Sequence, residues 1–140
     1  MKKKFIHKIK VYYEDTDSGG VVYYANYLKY LERARSEAIN FFKLSNNKLL
    51  KDYNVLIMVR SCNIYYKKFA ILEDKLKVIS EFNHIRKTSF NMIQIIKRNK
   101  DLILTAEVEM VTVNNKGKVV KIPDILYKKL KHFINLKKVI

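Results

Sequence analysis

The spacing of apolar positions changes along this 140-residue chain, and the changes divide it into elements. Residues 5–13 are rich in β-branched and aromatic side chains and run into Glu14-Asp15-Thr16-Asp17-Ser18-Gly19-Gly20, a cluster of acids and turn formers, so a strand followed by a loop is expected. Beyond the loop, Tyr27, Tyr30, Leu31, Ala34, Ala38 and Phe41 recur at helical spacing, while Lys29, Glu32, Arg33, Ser36 and Glu37 fall largely off that stripe. This predicts one helix over residues 25–42 with a broad apolar face. Asn46-Asn47 interrupt the pattern, a short helical turn is expected at 48–53, and β-type composition resumes over 55–66.

The remaining segments alternate with a period of two. In 75–82, Leu76, Val78, Ser80 and Phe82 share one face, opposite Lys75, Lys77, Ile79 and Glu81. Residues 88–98 are more continuously apolar, and 102–114 set Ala106, Val108 and Met110 opposite Glu107 and Glu109. Asn114-Asn115-Lys116-Gly117 then forms a turn, and Pro123 opens a C-terminal helix carrying Ile125, Leu126, Leu130 and Phe133. Strand, long helix, about four strands and a short helix succeed one another without βαβ alternation. The expected class is α+β, one domain over 1–140, with an antiparallel sheet covering the long helix.

Composition narrows the setting. Hydrophobic residues at 49% supply enough apolar surface for a core. Lys2, Lys3 and Lys4 resemble the charged start of an export signal, but His7, Lys8 and Lys10 intervene before any apolar region forms. No run of about eighteen apolar residues is present, so a soluble cytoplasmic protein without a membrane span is expected. Cys62 is the only cysteine, which rules out an internal disulfide, and it is expected as a buried apolar residue. The formal charge of +16 creates a field that attracts phosphate-bearing partners. The lysines that cause it are spread along the whole chain, as a lysine-biased genome would also produce.

Candidate chemistry concentrates in residues 12–37. Asp15 and Asp17 lie in a loop, where a carboxylate held near a carbonyl carbon can attack it or deprotonate a water. Backbone N–H groups from Val22 to Asn26 lie at the start of the long helix, where they are expected to be free and to form an oxyanion hole. Gly19 and Gly20 let the backbone bend tightly and let a ligand approach. Turn formation and helix capping account equally for Asp15, Thr16, Asp17 and Ser18.

Tyr12-Tyr13-Glu14-Asp15-Thr16-Asp17-Ser18-Gly19-Gly20-Val21-Val22-Tyr23-Tyr24-Ala25-Asn26-Tyr27-Leu28, followed by Glu32-Arg33-Ala34-Arg35, resembles the signature of YbgC-type hotdog thioesterases. The chain is similar also to the broader 4-hydroxybenzoyl-CoA thioesterase family. Residues 66–74 and the turn Arg86-Lys87-Thr88-Ser89 extend the resemblance over nearly the whole chain. It implies a hotdog fold, five or six antiparallel strands wrapped around a central helix, and hydrolysis of an acyl-CoA thioester. Asp17 is then the nucleophile or general base, and helix-start amides near Tyr24 hold the oxyanion. Gly19, Gly20, Val22, Tyr27, Glu32 and Ser89 are expected around the substrate, with Arg60, Arg86 and Lys87 on the CoA phosphates. No cofactor is implied, since CoA is part of the substrate. The resemblance further implies a homodimer or homotetramer with its site between subunits, and as partners acyl carrier protein, the Tol-Pal envelope system and phospholipid-synthesis enzymes. Two positions depart from the pattern: Phe69 stands where proline is usual, and Tyr24 where many YbgC-type members carry histidine.

Other readings find less support. His7, His84 and His132 lack metal-ligand spacing, so no metal site is expected. Gly19-Gly20 is neither a dinucleotide fingerprint nor a phosphate loop. Lysines interleaved with aromatics, as in Tyr65-Tyr66-Lys67-Lys68, suit nucleic acid, but no recognised motif accompanies them. A hotdog protein that binds acyl-CoA or an acyl carrier without hydrolysis is opposed by Asp17 alone. A hotdog dehydratase would need an aspartate and histidine pair, and no histidine lies near Asp17.

Overall fold

The computed structural model describes residues 3–135. Strand β1 (Phe5–Lys10) leads through a 3₁₀ turn (Tyr13–Asp15) to helix α1 (Asn26–Phe41) and helix α2 (Asn46–Tyr53). Then come β2 (Leu56–Tyr66), β3 (Lys75–Ile85), β4 (Ser89–Arg98), β5 (Asp101–Val113) and helix α3 (Asp124–Asn135). The five strands form one antiparallel sheet in the order β1-β3-β4-β5-β2. Its inner face covers α1, the α+β hotdog arrangement implied by the resemblance.

Burial follows the expected periods. Leu76, Val78, Ser80 and Phe82 are buried, as are Ala106, Val108 and Met110 on β5. On α1 the buried stripe is Tyr27, Tyr30, Leu31, Ala34, Ala38 and Ile39. Phe41, expected on that stripe, is 55% exposed, because Ile39 and Phe42 take the inward positions at the last turn. The ring of Phe5 meets Phe41, Phe42, Phe82 and Phe133 edge-on, tying β1, α1, β3 and α3 into one aromatic cluster.

Boundaries differ from expectation at several elements, and β3, expected over 75–82, runs on to Ile85. The first strand stops at Lys10, since Val11 N–H donates to Asp74 O and the chain then turns into the 3₁₀ segment. Asn46-Asn47 open α2 instead of breaking a pattern: Ser45 caps it by accepting from Lys48 N at 2.9 Å, and Asn54 closes it in the left-handed conformation at φ 53°.

A polar link crosses the core between helix and sheet. Gln94, fully buried on β4, donates to Leu31 O at 3.0 Å and Ser80 Oγ at 2.9 Å, and accepts from Arg35 Nη1 at 3.1 Å. Each polar group of the amide therefore has a partner, which fixes the rotation of α1 on the sheet. Cys62, expected to be buried, is only partly so: it lies on β2, at the sheet's edge.

Candidate active site

The segment between β1 and α1 is held by a compact set of backbone bonds. Asp15, although in a loop, is buried; its Oδ2 accepts from Tyr12 N at 3.0 Å, closing the 3₁₀ turn. Its carbonyl accepts from Tyr23 N at 2.9 Å and from Asn26 Nδ2 at 2.8 Å, so the first residue of α1 clamps the turn. Thr16 bridges Val22, and Asp17 N–H donates to Val21 O at 2.9 Å. The result is a tight hairpin with Asp17 at its exposed tip.

Asp17 is oriented by its own turn. Oδ1 accepts from Gly19 N at 2.8 Å, while Gly20 N donates to Asp17 O at 3.0 Å. A Cβ on Gly19 would sit 3.2 Å from Asp17 Oδ1, so the glycine makes room for the carboxylate. Gly20 is required for a different reason, its φ of +80°. Asp17 Oδ2 has no hydrogen-bond partner among the described residues.

The helix start is less open than expected. Of the five amides from Val22 to Asn26, Val22 N donates to Ala70 O at 2.9 Å, Tyr23 N to Asp15 O and Asn26 N to Tyr23 O at 2.8 Å. Only Tyr24 N–H and Ala25 N–H find no acceptor among the described residues. They lie where the helix dipole is positive. The expectation of five free amides is thus corrected to two, and one of these is Tyr24.

Tyrosines wall this region. Tyr66, at the end of β2, donates its hydroxyl to Tyr24 O at 3.2 Å. Tyr27, 2% exposed, accepts from Ala70 N at 3.0 Å, and burial raises its phenol pKa. Tyr30 is buried behind it without a hydrogen-bond partner for its hydroxyl, and burial together with the Asp15 carboxylate holds its pKa far above the ordinary phenol. Arg98 secures the facing loop, donating to Asp74 Oδ2 at 2.7 Å and Phe69 O at 3.3 Å. The Asp74 carboxylate raises the Arg98 pKa.

The other candidates lie elsewhere on the chain. Arg60 sits at the β2 bulge, 3.6 Å from Glu109, and Arg86 reaches the same carboxylate at 3.6 Å from the β3–β4 turn. Arg86 also donates to Ser89 Oγ at 3.1 Å and Asn91 Oδ1 at 2.8 Å. The Lys87 side chain is exposed, and its carbonyl accepts from Ile122 N. Arg60 and Tyr66 are six positions apart along β2, roughly 20 Å. Glu32 lies on α1 between these groups, accepting from Ser36 Oγ at 3.1 Å and lining a cavity of about 100 Å³ with Arg35, Ile39, Val59, Met92 and Met110. One chain therefore gathers Asp17, Gly19, Gly20, Val22, Tyr24 and Tyr27 at one end of the sheet and Arg86, Lys87 and Ser89 at the other, with Arg60 mid-strand on β2 beside the Glu109 carboxylate that Arg86 also reaches. Among the described residues, no helix is long and apolar enough to cross a membrane.

Asn26, Tyr66, Ala70 and Arg98 complete the turn without having been singled out by sequence. The signal for Asn26 was present, a polar amide at a helix start eleven residues after a buried loop aspartate. Tyr66 and Ala70 fall in the segment 66–74 that extends the resemblance, but the contacts that give them and Arg98 a part here are distant in sequence.

Residues 11–130 match the thioesterase-like superfamily. The chain belongs to that family. It is 35% identical to the acyl-CoA thioesterase YbgC of Haemophilus influenzae over 79% of this chain and 81% of that protein. It is 38% identical to the acyl-CoA thioester hydrolase YbgC of Escherichia coli O6:H1 over 76% of this chain and 79% of the relative. A probable thioesterase from Bartonella henselae superposes with a TM-score of 0.84 at 29% identity, covering 86% of this chain and all of that one. The expected hotdog fold and hydrolase class hold, and the family resemblance read from residues 12–37 is the correct one.

Proposed function

We propose that the chain hydrolyses the thioester of an acyl-CoA, with Asp17 as the reacting carboxylate and the Tyr24 amide as the oxyanion donor. The observation that carries this reading is the pairing of groups without partners: Asp17 Oδ2 at the tip of a rigid hairpin, and the Tyr24 N–H at the positive end of α1. Asp17 attacks the thioester carbonyl carbon, or takes a proton from a water that does so. Charge gathers on the carbonyl oxygen beside Tyr24 N–H, and the C–S bond breaks to release CoA as the thiol once protonated. In the nucleophilic route water then hydrolyses the Asp17 anhydride. Tyr27 and Val22 keep the wall in place, while Gly19 and Gly20 leave the approach open.

The complete site is made by two copies. Strand β2 is eleven residues long, lies at the sheet edge and exposes Met58, Val59, Tyr65 and Tyr66, a surface that favours strand pairing. Antiparallel self-pairing about Asn63 sets Arg60 of one chain opposite the partner's Tyr66. Arg60, supported by Arg86 and Ser89, and Lys87 then stand beside the Asp17 hairpin of the other chain, where CoA phosphates need cations. The cavity beside Glu32 and Val59 faces the same junction and receives the acyl group.

Thiol release from acyl-CoA substrates of increasing length tests the reading. Asp17→Asn is expected to lower kcat by about a hundredfold or more with an unchanged melting temperature. Turnover in the unaltered protein across the series reads the acyl lengths that the site accepts. CoA binding without hydrolysis of any substrate would instead indicate a non-catalytic acyl-CoA or acyl-carrier-binding protein.

A further inference from the structure

The outer face of the sheet, turned away from α1, carries a lysine array that the thioesterase reading does not use. In β1 and β3, Lys8 stands opposite Lys77 and Lys10 opposite Lys75; in β3 and β4, Lys77 stands opposite Lys97. Lys8, Lys77 and Lys97 therefore form a ladder across three adjacent strands, with neighbours about 5 Å apart. Lys8, Lys10, Lys75 and Lys77 are exposed and Lys97 half-buried. None of the five is in an ion pair with an acid among the described residues, and Lys10 alone has another partner, lying 5.7 Å over the Tyr12 ring. Like charges directly opposite on neighbouring strands destabilise a sheet. An arrangement of this kind is relieved by an external anion.

The next row along the same strands is aliphatic. Ile6 faces Ile79 and Ile79 faces Ile95, with Ile6 59% exposed. Glu81 lies beyond that row, the first acid on this face of β3. The two kinds of row describe the partner. Lysine heads on flexible stems respond to a diffuse field, whereas a carboxylate or phosphate read in fixed geometry calls for guanidinium forks, and none lies in these rows. The aliphatic row continues through Thr105 to the exposed Tyr65 on β2; one ring falls short of the successive stacking platforms that nucleic-acid bases use, and an amphipathic tyrosine beside isoleucines suits a bilayer interface. A second copy of the same face is excluded by its own charge. Ammonium groups beside exposed isoleucines match a bilayer surface, where the cations meet anionic headgroups and the aliphatic chains enter the interface.

We propose that this face, built from Lys8, Lys10, Lys75, Lys77 and Lys97 beside Ile6, Ile79 and Ile95, docks the protein on an anionic lipid surface. It lies on β1, β3 and β4, away from the β2 edge assigned to self-association, so it operates whether or not the dimer reading holds.

The test is sedimentation of the full chain with phosphatidylcholine vesicles made with and without phosphatidylglycerol. The unaltered protein is expected to bind only the anionic vesicles, and to be released as salt rises. Each lysine near an anionic leaflet strengthens binding about fivefold, so Lys8→Thr, Lys77→Thr and Lys97→Thr combined should weaken it on the order of a hundredfold. Removing the same charge elsewhere, with Lys51→Thr, Lys116→Thr and Lys118→Thr, should leave binding within a few-fold. The ladder variant should melt at the same or a higher temperature, since repulsion is relieved and threonine suits strands, which separates lost binding from lost folding. Equal binding to neutral vesicles, retention by the ladder variant, or equal loss in the control variant overturns the proposal. So does failure to bind anionic vesicles while a DNA oligonucleotide or polyglutamate binds through the same lysines.

Discussion

The two ends of the sheet are both polar, but they are finished differently. At the β3–β4 turn, Arg86, Ser89, Asn91 and Glu109 answer one another, and Arg60 joins through the same Glu109 carboxylate. At the other end the framework is equally well bonded, through Asp15, Asn26, Ala70 and Tyr23, yet Asp17 Oδ2 and the Tyr24 amide are left over. Unused hydrogen-bonding capacity inside a rigid frame is the ground for proposing the reaction there. Charge alone is not, since the more heavily charged end is the more satisfied one.

The strongest way to break this contrast is to ask whether the ends work within one chain or across two. Asp17→Asn removes the free carboxylate, and Arg60→Ala removes the more exposed of the two arginines that share Glu109, 61% exposed at its side chain against 42% for Arg86. Each variant alone should be impaired, the first in kcat and the second mainly in KM, by about tenfold. Mixed and allowed to exchange subunits, they should recover up to about a quarter of the unaltered activity, because half the dimers are mixed and each mixed dimer holds one intact site. Thiol release at low substrate reads the recovery; a simple average of the two parent activities would place both ends in the same chain.

A smaller effect separates the two glycines. Gly20→Ala must adopt φ near +80°, costing about 1–2 kcal/mol, so the melting temperature should fall by several degrees. Gly19→Ala should leave the melting temperature nearly unchanged but push the Asp17 carboxylate by a few tenths of an ångström, lowering kcat about tenfold. At the satisfied end the balance reverses: Arg86→Ala is expected to cost about 1 kcal/mol of stability, read by chemical denaturation, with kcat preserved, because its bonds are largely solvent-exposed and serve the turn.

What sequence made legible divides along similar lines. The period of two in β3 and β5 and the helical stripe from Tyr27 to Ala38 are local consequences of burying one face, and they could be read directly. Asp17 and the Tyr24 amide, the groups of the proposed reaction, come from a long motif whose residues are contiguous. Of the three satisfied amides, that of Val22 was not legible, because its acceptor is set by tertiary structure: Ala70 O lies in the connection between β2 and β3, whereas Tyr23 N–H to Asp15 O and Asn26 N–H to Tyr23 O close nearer turns. The separation of Arg60 and Arg86 from Asp17 was hidden for the same reason, as strand order and register decide it. Phe41 shows the limit of periodicity itself, since two adjacent phenylalanines compete for one inward position and packing against Phe82 selects Phe42.

The finest probe of the open end is Tyr66. Its hydroxyl reaches Tyr24 O at 3.2 Å, while its ring packs on Tyr24 and Tyr27 at centroid distances of 6.3 Å and 5.7 Å. The hydroxyl bond is long and exposed, so it belongs at the weak end of the range, near 0.5 kcal/mol. Tyr66→Phe should therefore lower kcat/KM only about two- to threefold without moving the melting temperature. Tyr66→Ala should cost more in both, because it also frees the rings that wall the Tyr24 peptide. If Tyr66→Phe instead matched the alanine variant, the hydroxyl rather than the ring would be what orients the Tyr24 peptide, and the oxyanion donor would depend on a residue that β2 delivers to the start of α1 from the far side of the motif.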